Sequence, residues 1–367
     1  MKEGWKMVKL GEVCEIINGK NQKEVISPEG QFPILGSGGN VMGYATEYLC
    51  PAGTIIIGRK GSINNPLFID TPFWNVDTAF GFNARDNYER KLLYYFCLLF
   101  DFEKLNKGTT LPSLVKSDLL QIEIPLPPLE EQHRIVSILD ASFEKIDALK
   151  KNAEENLKNA KALFQQVLAQ ELKPKEGWVE TKMETICTLC QGLAINAQTK
   201  HLIVEKSNLP LLRIKDLKDG TREIFINEDN CPESCKVYSN DIIYTRTGTL
   251  GLIFTGVNGV MHNNCFKIIL DQKKVEKHYV MYYLHTTSFK ERVIAMAQRA
   301  AQPDITHKIF KAQYICFPSI ETQHRIVQTL DTLSEKCRRL EQVAQQTIRE
   351  CDALKQSILR QAFSGEL

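Results

Sequence analysis

Two stretches of the chain place apolar residues at helical spacing for more than thirty positions each. In the first, Ile135, Leu139, Ile146, Leu149, Ala153, Leu157, Ala160, Phe164 and Val167 step by three, four or seven residues. In the second, Ile326, Leu330, Leu333, Cys337, Leu340, Ala344, Ile348, Cys351, Leu354 and Ile358 step by three or four. Both are coiled-coil stripes, and they predict two amphipathic helices that each need a partner along one face. Pro127 and Pro128 before the first, and Pro318 before the second, stop the preceding strand and pre-set the helix start. Glu130, Glu131 and Glu321 then fall near the positive end of the helix dipole. With a rise of about 1.5 Å per residue, each helix should reach ~60 Å.

The remaining segments alternate differently. Gly53–Gly58, Glu223–Ile226 and Asp241–Thr245 read as short strands punctuated by Gly, Asn and Pro, and helices are predicted over Glu89–Leu105 and His278–Ala297. The expected organisation is a mixed α/β domain at 1–128, a helix at 129–173, a second mixed domain at 174–319 and a second helix at 320–367.

The chain repeats itself. Glu3-Gly4-Trp5 returns as Glu176-Gly177-Trp178, an offset of 173, and Gln132-His133-Arg134-Ile135-Val136 returns as Gln323-His324-Arg325-Ile326-Val327, an offset of 191. At the larger offset Leu139-Asp140 matches Leu330-Asp331, Glu144-Lys145 matches Glu335-Lys336, and Pro112 matches Pro303. Duplication accounts for this, with about 18 residues added inside the second globular part. Two similar halves related by an approximate two-fold axis would run their helices antiparallel and offer two equivalent docking surfaces.

Composition narrows the class without naming it. A chain of 367 residues, 43% hydrophobic and 25% charged, suits two globular domains. Its longest apolar run, Leu92–Phe100, is too short to span a bilayer, and Met1–Leu10 has no signal-like apolar run, so a cytoplasmic location is expected. Eleven cysteines, scattered and odd in number, are expected as reduced thiols. Cys187, Cys190, Cys231 and Cys235 could supply zinc ligands in principle, but the first half has no counterpart, and buried thiols are the expectation. Net charge is only +2, and residues 130–172 and 321–367 together hold 15 acids and 13 bases, which leaves about +4 elsewhere. Catalytic motifs are scarce. Gly36-Ser37-Gly38-Gly39 lacks a phosphate-loop lysine and reads as a turn. Asn65-Pro66-Leu67-Phe68 lacks the second proline of an adenine-extruding motif, and no cofactor glycine motif accompanies it. His133 and His324 sit in first helical turns without other metal ligands at suitable spacing.

The order of these parts resembles the specificity subunits of type I restriction-modification systems. The likeness rests on Pro-Leu-Pro-Pro-Leu-Glu-Glu-Gln-His-Arg-Ile-Val at 125–136, its shorter echo at 323–327, the Glu-Gly-Trp openings, Phe32-Pro33-Ile34-Leu35-Gly36, Gly58-Arg59-Lys60-Gly61-Ser62 and the closing Ser364-Gly365-Glu366-Leu367. It implies two target-recognition domains separated by two long antiparallel helices, reading a bipartite double-stranded DNA site with an unspecified spacer. It further implies two modification subunits that use S-adenosylmethionine to methylate adenine N6, joined in the restriction complex by ATP-driven motor subunits. The chain itself would need no cofactor and catalyse nothing. The rival readings are a stand-alone DNA methyltransferase and a coiled-coil scaffold that binds only proteins.

Reading base edges requires Arg, Lys, Asn, Gln, Ser or Thr on loops. The candidates in the first half are Arg59, Lys60, Ser62, Asn64, Lys107, Thr109 and Thr110; in the second they are Arg246, Thr247, Thr249, Arg299 and Gln302. The same loops could be solvated turns with arginines in local ion pairs. For partner docking the candidates are Gln132, His133, Arg134, Gln323, His324 and Arg325. Their alternative role is to cap the helices or pack on the neighbouring domain.

Overall fold

The computed structural model describes residue 2, residues 4–298 and residues 302–367. The chain forms two compact units, Met1–Glu155 with Val343–Leu367, and Asn156–Gln342.

The first unit contains strands β1 (Lys6–Lys9), β2 (Cys14–Asn18), β3 (Phe32–Leu35), β4 (Val41–Ala45), β5 (Thr54–Gly58), β6 (Leu67–Ile69), β7 (Trp74–Asn75), β8 (Ala79–Ala84) and β9 (Glu123–Leu126). Its helices are α1 (Leu10–Val13), α2 (Arg90–Leu99), α3 (Lys116–Leu119) and the start of α4 (Leu129–Glu171). The main sheet has the order β2-β8-β5-β6, beside a β4-β3-β7 sheet and a β1-β9 ribbon. Every residue of β5 is buried, as a central strand covered on both faces must be.

The second unit contains β10 (Val179–Lys182), β11 (Cys187–Gln191), β12 (Ile203–Val204), β13 (Leu211–Leu212), β14 (Phe225–Ile226), β15 (Lys236–Val237), β16 (Ile242–Thr245), β17 (Ile253–Phe254), β18 (Gly259–Met261), β19 (Cys265–Leu270) and β20 (Tyr314–Phe317). Its helices are α5 (Ile214–Asp219), α6 (Lys277–His285), α7 (Thr287–Ala297), α8 (His307–Lys311) and the start of α9 (Ile320–Ser364). The order β11-β19-β16-β17 repeats the main sheet of the first unit. The register repeats too: Cys14 faces Ala84 as Cys187 faces Leu270, and Lys6 faces Leu126 as Val179 faces Phe317. The units differ in their smaller sheets, where the third strand pairs with β3 in one and with β18 in the other.

The two units share both long helices: residues 129–155 of α4 and 343–364 of α9 belong to the first, and residues 156–171 and 320–342 to the second. In the first unit Ile135, Leu139 and Phe143 share a core with Ile57, Phe82, Leu93 and, from α9, Leu359 and Ala362. The two helices run antiparallel there, with Asp147 paired to Lys355 at 2.5 Å and Lys150 to Asp352 at 2.6 Å. In the second unit Leu168 and Leu172 share a core with Ile326, Val327 and Leu330.

The buried helical set repeats at the 191 offset, including Ile146 and Cys337, Ala153 and Ala344, Ala160 and Cys351. Leu149 and Leu340, expected in the stripe, are instead 52% and 55% exposed. Small residues seven apart let a facing surface come close, so the seam narrows and the flanking leucines fall outside it.

Three sequence expectations change. The helix from Glu89 ends at Leu99, because Asp101 caps a separate short turn over Phe102–Leu105. The helix from His278 breaks at Thr286, whose hydroxyl accepts from the Phe289 amide at the start of α7. The strand at Glu223–Ile226 shortens to Phe225–Ile226.

Candidate nucleic-acid interface

In each unit the central strand of the main sheet runs into one candidate loop, and a backbone hydrogen bond ties that loop to the second. In the first unit the Leu114 amide donates to the Arg59 carbonyl at 2.9 Å, and in the second the Ile305 amide donates to the Arg246 carbonyl at 2.9 Å. The arginine amides are held equivalently, Arg59 by the Thr78 carbonyl at 2.8 Å and Arg246 by the Asn264 carbonyl at 2.9 Å. The frame of the site is therefore the same in both units.

Loop closure differs. A Cβ at Gly58 would lie 2.3 Å from the Ser62 carbonyl oxygen, so the first loop folds back where a side chain has no room. The matching position is Thr245, whose hydroxyl donates to the matching carbonyl of Thr249 at 2.5 Å.

In the first unit Arg59, Lys60, Ser62, Lys107, Thr109 and Thr110 are all exposed. Asn106 Oδ1 accepts from the Gly108 and Ser113 amides at 2.8 and 2.9 Å, which fixes the second loop beside the first. Arg59 lies over the Phe80 ring at 5.7 Å and makes no ion pair among the described residues. Lys107 makes a loose pair with Asp118 at 3.5 Å. Asn64 is also exposed, accepting from the Phe102 amide and donating to Asp101.

In the second unit Arg246 is held rather than free. Its Nε donates to Asp304 Oδ1 at 2.8 Å, an Nη2 hydrogen goes to Asp304 Oδ2, and Nη1 donates to Gln191 Oε1 at 3.0 Å. Gln191 is itself fixed by donating to the Asn263 carbonyl at 2.7 Å. Nearby, Thr247 Oγ1 and His307 Nε2 are buried without a hydrogen-bond partner among the described residues. Burial, then the positive charges of Arg246 and Lys311, pull the His307 imidazole below its ordinary range. Thr249 is exposed and accepts from Lys218 at 3.1 Å. Gln302 is exposed, and Arg299 lies outside the described residues. Asp304 and Gln191 were missed in sequence. Their only signal is position, directly after the repeated Pro303 and directly before Gly192, the counterpart of Gly19.

The docking candidates divide. Gln132 is 1% exposed: Oε1 accepts from the Glu89 amide at 2.7 Å, and Nε2 donates to the Asn87 and Pro127 carbonyls at 3.1 and 2.9 Å. Gln323 is 0% exposed and repeats the arrangement with the Glu276 amide at 2.8 Å and the Lys274 and Pro318 carbonyls at 3.2 and 2.9 Å. Both expectations of a docking glutamine are corrected, since no surface remains for a partner and every polar atom is engaged within the chain. His133, Arg134, His324 and Arg325 are exposed. Arg134 is paired with Glu131 at 2.7 Å and donates to the Leu367 carbonyl, and Glu131 is held down to about 2 by the Arg134 and Lys2 hydrogen bonds. Thr322 stands where the second half would need that glutamate.

Of the motifs set aside in sequence, Gly36–Gly39 forms the turn between β3 and β4, and Leu67-Phe68 lies in β6, paired with β5. Among the described residues no cluster of three or more His, Cys, Asp or Glu side chains could hold a metal, and all eleven cysteines are free thiols. No helix among them is long and apolar enough to cross a membrane.

The fold is thus made twice, with a matched pair of loops at the end of a matched sheet in each copy. The chain belongs to the type I restriction modification DNA specificity domain family, whose model matches it twice, at residues 2–159 and 175–350. It is similar to the Escherichia coli type I restriction enzyme EcoBI specificity subunit, 23% identical over 100% of this chain and 86% of that protein. The Methanocaldococcus jannaschii MjaIX specificity subunit is 26% identical over 76% of this chain and 71% of that one. Two solved structures share the fold. A chain from a study of assembly and conformational transition of the type I R-M system has a TM-score of 0.80 at 21% identity, covering 100% of this chain and 99% of that one. The HsdS subunit from Thermoanaerobacter tengcongensis has a TM-score of 0.57 at 22% identity, covering 100% and 98%.

Proposed function

We propose that this chain is the sequence-reading subunit of a type I restriction-modification complex in the cytoplasm. It binds a bipartite double-stranded DNA target, one half-site per unit, and directs two modification subunits to methylate adenine N6 within it; with motor subunits present the same recognition directs restriction. S-adenosylmethionine and ATP serve those partners. The observation that carries this reading is the paired loop at the end of the main sheet, repeated in both units with the same backbone anchors. The reading residues are Arg59, Lys60, Ser62, Asn64, Lys107, Thr109 and Thr110 in the first unit, and Arg246, Thr247, Thr249, Arg299 and Gln302 in the second. His133, Arg134, His324 and Arg325 are the docking candidates that reach solvent.

Exchanging residues 174–319 for the corresponding segment of a related subunit tests this. Methylome sequencing of cells carrying the chimera and its methyltransferase partner should show one half of the methylated motif changed and the other retained. A motif in which both halves change together would overturn independent reading.

A further inference from the structure

The two matched arginines differ in one respect that bears on what each can recognise. Arg59 is exposed and makes no ion pair among the described residues, whereas Arg246 is clamped by Asp304 and Gln191. A guanidinium has five donor hydrogens in a planar fork. Asp304 takes the Nε hydrogen and one on Nη2, and Gln191 takes one on Nη1, which leaves one hydrogen on each terminal nitrogen. The Arg246 side chain keeps 22% of its surface exposed.

Charge decides between the two kinds of DNA acceptor. A phosphate is an anion, and an arginine already neutralised by a touching carboxylate offers it little net attraction. The edge of guanine is uncharged and presents two acceptors, O6 and N7, side by side in the major groove, to which the hydrogen left on each terminal nitrogen can be offered. The clamp also removes the side-chain freedom that an unheld arginine would lose on binding, as a site built for discrimination requires.

We infer that Arg246, held by Asp304 and Gln191, is a specificity-determining residue that reads a guanine in the half-site of the second unit, while the unheld Arg59 contacts backbone phosphate. This assignment rests on the proposed DNA-reading function. Arg246 is the contacting residue, and Asp304 and Gln191 are positioning residues.

The test uses the full chain assembled with its methyltransferase partner and a pool of randomised DNA duplexes. The half-motif that changes on exchange of residues 174–319 belongs to the second unit and should contain a required guanine. In the selected duplex, replacing that base by 7-deazaguanine, which lacks N7 but pairs normally, should weaken binding by the wild-type complex; this arm needs no variant. Arg246→Ala should lower discrimination at that base pair by about 5- to 150-fold, become indifferent to 7-deazaguanine and leave the salt dependence unchanged. Asp304→Asn, which keeps the arginine, should lose part of that discrimination. Arg59→Ala should weaken all sequences alike and flatten the salt dependence. The assignment is overturned if the half-motif requires no guanine, if 7-deazaguanine acts equally on wild type and Arg246→Ala, or if Arg246→Ala weakens every sequence uniformly. A pool that yields a bipartite motif alongside any of these results leaves the proposed function standing; a pool that yields no selected sequence overturns both.

Discussion

The buried glutamines permit the sharpest test of how the globular frame holds the helices. Replacing Gln132 by Ala removes three hydrogen bonds that join the first turn of α4 to the segment preceding α2 and to the Pro127 carbonyl. At about 1 kcal/mol net per bond the direct loss is about 3 kcal/mol. The Pro127 carbonyl lies in a buried hydrogen bond and cannot readily find water, whereas Asn87 is exposed and its carbonyl can. We therefore expect about 3–4 kcal/mol, a large part of the stability of an ordinary domain. Gln132→Met keeps the volume while deleting all three bonds, so a comparable loss there assigns the effect to hydrogen bonding rather than to a cavity. Gln323→Ala should cost a similar amount in the second unit, because its bonds fall on the equivalent Glu276, Lys274 and Pro318 groups. Native-state hydrogen exchange resolves the two units, with the amides of Glu89 and Glu276 as local reporters. A loss below 1 kcal/mol for both alanine variants, with those amides still protected, would refute the reasoning.

Three further outcomes are expected. Burial, then the charge of Lys290, lowers the His285 imidazole to about 4. Since that lies below its unfolded value of about 6.5, the associated stability is present above about 6.5 and is lost as pH falls toward 4; exchange protection of α6 and α7 should drop by about 1–2 kcal/mol at pH 5, and His285→Gln should abolish that slope. Tyr95 donates to Asp140 at 2.5 Å and Tyr282 to Asp331 at 2.6 Å, so Tyr95→Phe and Tyr282→Phe should each cost about 1–2 kcal/mol in urea unfolding of their own unit. Enlarging the narrow helix seam by Ala153→Leu should cost about 1–3 kcal/mol, while Leu149→Gln should change stability by less than about 0.5 kcal/mol; the reverse order would place Leu149 in the seam after all.

Much of the frame was legible because its causes are local or repeated. The Ile55-Ile56-Ile57 run, bounded by Gly53 and Gly58, reads as a strand, and the proline-then-glutamate signals set the starts of both long helices. What escaped depends on partners distant in sequence. Gln132 looks like a solvent residue until the Glu89 amide, 43 positions away, is brought against it. Arg246 looks free until Asp304, 58 positions away, closes on it. The stripe misplaced Leu149 and Leu340 for a different reason, because counting apolar positions ignores their size.

These failures fall on both sides of one division within the fold. Residues that duplication left unchanged, such as Gln132 and Gln323 or Tyr95 and Tyr282, bind the same structural groups in both units and hold the frame. Around the two arginines the copies differ at strand ends and in the second loop: Gly58 against Thr245, Asn18 against Gln191, and Ser113 against Asp304. A frame that keeps its register while the loop ends change can present a different donor pattern in each copy without refolding either sheet. The arginine common to both loops then need not do the same work twice, because its chemistry is set by what stands beside it. With serine and asparagine in the places of its clamp, Arg59 makes no ion pair among the described residues; with aspartate and glutamine there, Arg246 becomes a fixed, neutralised fork.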